Sequence, residues 1–147
     1  MEKSAASYPG NSATPNQLLQ LAAEYRKAAH ALLPAGKKGN PLSRAPWRLI
    51  TIHAIELYLN ALLLHFGHKP DKIRSLQHDI AGRTELAIAM GLVLRKRTAL
   101  HLAAISANRE YLVVRYDPET PVTLSQVNRL NATLEELANR VNALTAG

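Results

Sequence analysis

The chain has 147 residues, 47% of them apolar, enough for one domain with a buried core. Eighteen basic against eleven acidic side chains give a net charge of +7, which points to an anionic partner such as nucleic acid. The absence of cysteine excludes disulfides and thiolate metal sites. Glu2 and the lack of an apolar run behind it exclude a secretory signal. No apolar run reaches the roughly 20 residues of a membrane span, so a cytoplasmic protein without membrane contact is expected.

Residues 1–13 are rich in Ser, Ala, Gly and Asn and read as a loose tail. Residues 14–147 read as a single domain. Thr14-Pro15-Asn16-Gln17 announces the first helix, with Thr14 as N-cap, Pro15 in the first turn and Gln17 closing a capping box. Leu18, Leu21, Tyr25, Ala28 and Leu32 form its apolar face, and Pro34 stops it. A second helix runs from Pro46 to about Phe66 before Gly67. It is apolar on most sides, which marks a central helix, and one polar stripe breaks it at His53, Glu56 and Asn60.

Gly67 to Arg74 reads as a turn region around Pro70. A third helix is expected from Ser75–His78 to Met90, stopped by Gly91. A fourth is expected from Arg95 to Tyr116, broken by Asp117-Pro118. Its stripe of Thr98, Leu102, Ile105, Arg109, Leu112 and Tyr116 contains one misfit, Arg109. A guanidinium there either pairs with a buried carboxylate or faces an anion-binding cleft. Glu56 on the central helix is the obvious carboxylate, so a structural Glu56–Arg109 pair is expected. The fifth helix carries a heptad seam of Val127, Leu130, Leu134, Leu137, Val141 and Leu144, with Thr123 and Gln126 offering a capping box. The seam is read as packing onto the bundle, with a dimer seam as the alternative.

Of the six histidines, none stands in His-Glu-x-x-His. His65 and His68 at a helix end read as turn histidines, so neither metal nor cofactor is expected. His78 and Asp79 open the third helix, where Asp79 complements the dipole.

Three segments in order then resemble the HEPN superfamily (higher eukaryotes and prokaryotes nucleotide-binding domain). Ala54 to Leu63 is similar to its apolar helix with an embedded Glu, here Glu56. Leu76 to Ile80 is similar to its His-Asp helix start, here His78 and Asp79. Arg109 to Asp117 is similar to the signature ending its fourth helix. The resemblance implies an all-α, four- to five-helix up-down bundle, often dimeric. In ribonuclease members an Arg is followed a turn or two later by a His, with a Tyr just beyond, and RNA is cleaved without metal. Here Arg109 takes the Arg position and Tyr116 the Tyr position, while Val114 stands where the His belongs. Valine cannot transfer a proton, so the motif is degenerate. Arg95 and His101 satisfy the bare Arg…His spacing and are the alternative catalytic pair.

The resulting expectation is a homodimeric, non-catalytic protein that binds RNA or a nucleotide in a basic cleft at the end of the fourth helix. Arg109, Arg115 and Tyr116 would contact phosphate and base, and His78 and Asp79 would shape the wall. The alternatives are a metal-independent, toxin-like ribonuclease, and an interaction module serving an antitoxin or nucleotidyltransferase partner.

Overall fold

The computed structural model describes residues 8–119 and 124–146. Among them the chain is all-α: α1 Pro15–Leu32, α2 Ala45–His65, α3 Pro70–Ser75, α4 Ile80–Ala89, α5 Lys96–Ala107, α6 Glu110–Tyr116 and α7 Val127–Thr145. Residues 1–7 of the expected tail and the expected Thr123 cap lie outside the described residues. Residues 8–13 dock on the bundle. Arg74 donates to Asn11 Oδ1 at 3.0 Å, and its guanidinium lies over the Tyr8 ring at 4.4 Å.

The capping box of α1 forms as the sequence dictates. Gln17 N–H donates to Thr14 Oγ1 at 3.1 Å, and Thr14 N–H donates to Gln17 Oε1 at 2.9 Å. The buried face differs from the expected one. Ala22 and Ala29 are fully buried, while Leu21 and Ala28 are exposed. Small residues at the contact let α1 lie close against α2.

α2 is the central element. It packs against α1, α4, α6 and α7, and most of its residues are buried. Residues 41–65 are long and apolar enough to cross a membrane by length and composition, contrary to the reading of the sequence. The most apolar window of that stretch is 67% buried in the bundle, as befits a core helix. The seam of α7 is used inside the fold: Leu130, Leu134, Leu137 and Val141 are all buried.

Two expected elements divide. The turn region around Pro70 contains the short α3, because Pro in the first turn sacrifices no hydrogen bond. The expected fourth helix breaks at Arg109, which is left-handed at φ 51°, ψ 40°. Its carbonyl accepts from Leu112 and Val113 N–H, so it closes α5 and opens α6. The break rotates the register. Arg109 points outward and is exposed, whereas Glu110 is only 1% exposed.

The expected buried Glu–Arg pair is therefore made by other residues. Arg48 at the start of α2 lies 3.2 Å from Glu110 Oε2 and also donates to the Ser125 carbonyl at 2.5 Å. The other Glu110 oxygen accepts from Ser125 N–H at 2.9 Å and Ser125 Oγ–H at 2.6 Å. The Glu56–Arg109 pair is not formed.

Two stability measurements follow from this geometry. Arg109→Gly is expected to leave stability unchanged or raise it by up to about 1 kcal/mol, because glycine enters the left-handed region without a Cβ penalty. In an unbroken helix the same change costs about 1 kcal/mol, so urea denaturation reads the break by its sign. Glu110→Gln leaves the Arg48 charge buried without its counterion and is expected to cost about 3–5 kcal/mol in the same assay.

Candidate functional site

The polar stripe of α2 opens onto the main cleft of the molecule. His53, Glu56 and Asn60 line a space of about 820 Å³ together with Arg74, His78 and Arg83. That volume falls in the range of pockets that hold small ligands. The stripe is polar because it faces the cleft. Leu18 and Leu21 of α1 give the opposite, apolar wall, which explains the exposure of Leu21.

His78 Nδ1 lies 3.1 Å from Glu56 Oε1, so two residues singled out in the sequence meet here. The His78 ring also rests against Tyr111 of α6, with centroids 4.9 Å apart. His53 meets the Tyr25 ring edge-on at 4.6 Å. Burial pushes the His53 imidazole below its usual pKa. Glu56 opposes that shift, and the charges of Arg115 and His78 add to it.

Arg83 organises the floor. It is only 2% exposed, and among the described residues no carboxylate lies within ion-pair distance of it. Its Nε donates to Asn60 Oδ1 at 2.7 Å, Nη1 to the Asp79 carbonyl at 3.2 Å and Nη2 to the Ile73 carbonyl at 3.5 Å. One guanidinium thus ties α2, α3 and α4 together around the pocket. Burial lowers its pKa, and the charges of Glu56 and Asp79 raise it. Nothing in the sequence singled out Arg83; its sole clue was that Asn60, an apolar-helix misfit, needed a partner.

Asp79 is the N-cap of α4 rather than part of its first turn. Its Oδ1 accepts from Gly82 N–H at 3.0 Å and from Ser106 Oγ–H at 3.4 Å. Arg115 and Tyr116 are exposed at the end of α6, the Tyr116 ring by 75%. Arg109 stands at the other end of that helix, on the order of 9 Å along its axis. The structure gathers Glu56 and His78 in the cleft, while Arg109, Arg115 and Tyr116 are not among the residues that line it. Val114 is half-buried in α6.

The alternative pair Arg95 and His101 is not brought together. Arg95 is exposed, and its guanidinium Nε stands 3.9 Å from Glu136 Oε1. His101 is buried, and hydroxyls hold both ring nitrogens: Ser125 Oγ at 2.7 Å from Nε2 and Thr133 Oγ1 at 2.6 Å from Nδ1. Ser125 Oγ–H is committed to Glu110. It therefore accepts from His101 Nε2–H, which leaves Nδ1 to accept from Thr133. The ring is a neutral structural link, with its pKa pushed down to about 4 chiefly by burial and further by the Arg129 charge.

Among the described residues no group of three or more His, Cys, Asp or Glu could hold a metal ion. No protein-family model matches this chain, no curated protein matches it, and no solved structure matches it.

The His101 shift has a consequence for stability. Above about pH 6.5 neither the folded nor the unfolded imidazole is protonated, and the full contribution is present. As the pH falls, the unfolded chain takes up a proton that the fold refuses, until the folded group titrates near 4. The loss amounts to about 3 kcal/mol between about pH 7 and pH 4. Urea denaturation at those two pH values is expected to show it in the wild type and to show a much smaller pH-dependent loss in His101→Gln.

Proposed function

We propose that this protein is a HEPN-like, homodimeric bundle that binds RNA or a nucleotide without cleaving it, in the cleft between α1, α2 and α3. The observation that carries the reading is the convergence of the α2 polar stripe with His78, Arg74 and Arg83 in one cleft. Its volume suits a nucleotide, and its apolar wall at Leu18 and Leu21 suits the face of a base. Arg74 and Arg115 supply phosphate contacts, and the exposed Tyr116 ring supplies a stacking surface at the rim. Large apolar side chains left exposed at Ile88, Met90, Val93 and Leu100 support self-association.

A second reading, metal-independent cleavage of RNA, draws on one observation. His53 and His78 line the same cleft on either side of Glu56, and histidines suit proton transfer near neutral pH.

One experiment separates these readings. Labelled single-stranded RNA is titrated with the protein in EDTA and run on native and denaturing gels. The expected result is a shifted, intact RNA whose binding weakens about tenfold in Arg74→Ala and in Arg115→Ala. Cleaved RNA would replace the first reading with the second, and loss of cleavage in His78→Ala would assign the base. Neither shift nor cleavage would favour a protein partner instead.

A further inference from the structure

A groove on α5 and α7 shares no lining residue with the main cleft. Four guanidinium groups face it: Arg95 and Arg97 from the start of α5, and Arg129 and Arg140 from α7. The acidic residues in its wall, Glu135 and Glu136, are already occupied. Arg26 of α1 holds Glu135 through two bonds of 2.6 and 2.8 Å, and His30 stands 3.3 Å away. Glu136 spends one oxygen on Arg95 N–H at 2.8 Å and the other on Thr98 Oγ1–H at 2.9 Å. Arg129 has no carboxylate within ion-pair distance among the described residues. It donates to the neutral hydroxyls of Thr133 at 3.3 Å and Thr98 at 3.0 Å. Arg97 and Arg140 are exposed. Arg95 Nε also stands 3.9 Å from Glu136, so the surplus positive charge of the groove rests on Arg97, Arg129 and Arg140, which have no carboxylate within ion-pair distance among the described residues.

Its shape narrows the ligand further. Arg129 and Arg140 lie on one face of α7, three turns apart, or on the order of 16 Å. That length exceeds a single phosphate and matches a run of them. Ala132, Asn139 and Ala143 complete the α7 side of the groove beside the occupied Glu135 and Glu136. No aromatic residue lines it, so nothing there stacks on a base.

We propose that this groove carries the phosphodiester backbone of a single-stranded polynucleotide, independent of its sequence. The inference rests on the reading above for the class of partner but on separate residues for the contact. It makes the ligand an extended strand, held along the groove by its backbone, rather than a free nucleotide.

The test measures binding of fluorescent oligouridylate and oligodeoxythymidylate to the full chain between about 50 and 200 mM salt. The variant is Arg97→Ala with Arg140→Ala, both exposed, with folding checked by circular dichroism. Losing two phosphate contacts is expected to weaken both oligomers about tenfold alike and to flatten the slope of log K against log salt by about 1.4. Arg74→Ala serves as the cleft variant, and a labelled mononucleotide as the cleft probe. Unchanged oligomer affinity and slope in the double variant would overturn the groove, whatever the cleft does. Loss in the double variant with no effect of Arg74→Ala and no mononucleotide binding would uphold the groove and remove the cleft reading. Displacement by polyglutamate as effective as by an oligomer of equal charge would overturn the polynucleotide assignment in favour of an acidic protein segment.

Discussion

The buried contact between Arg48 and Glu110 is the constraint on which the rest of the arrangement depends. It joins the first turn of the central helix to the first turn of α6, and through Ser125 it fixes the approach to α7. Two charges out of water need close geometry and hydrogen bonds to be tolerated; Ser125 supplies the remaining partners of the carboxylate and accepts from Arg48 Nη1, while Arg48 Nε is buried without a partner among the described residues. The left-handed turn at Arg109 is the backbone price of that contact, since an unbroken helix would carry Glu110 elsewhere. From the same Ser125 a chain of hydroxyls and one neutral imidazole runs through His101 and Thr133 to Arg129. Arg129 closes the internal network and also lines the basic groove.

The main cleft follows from the same economy of polar groups. A helix as apolar as α2 can carry His53, Glu56 and Asn60 only on a face that meets water or polar partners. Arg83 answers Asn60, His78 answers Glu56, and the carbonyls ending α3 and capping α4 answer Arg83. The polar stripe thus orients the short helices and leaves a cavity between them and α1. Arg74 is held at its mouth by Tyr8 and Asn11, so the segment before α1 forms part of the wall.

Much of this was legible in the residues. The α1 capping box, the central position of α2, the polar stripe, the stop at Gly91 and the inward seam of α7 all follow from local chemistry and periodicity. The stripe through Arg109 keeps helical periodicity across Asn108, so the break there is not visible in the pattern, and a one-residue shift exchanges an exposed Arg for a buried Glu. Pro70 is compatible with a break or with a helix start, and α3 takes the second course. Arg48 gave no signal at all, since an Arg in the first turn of an apolar helix normally reads as a solvated end.

The sequence by itself determined the all-α class, the places where most helices start and stop, the excess of positive charge and the polar face of α2. These depend on interactions within a few residues, which the chain order specifies. Only the tertiary structure decided which charges meet. It paired Glu110 with Arg48 and Glu56 with His78, buried His101 between two hydroxyls, and brought two arginines from the start of α5 and two from α7 to one groove. Such partners are far apart along the chain. Their choice rests on how the helices pack and, for Glu110, on a backbone turn at one residue, which periodicity along the chain does not specify.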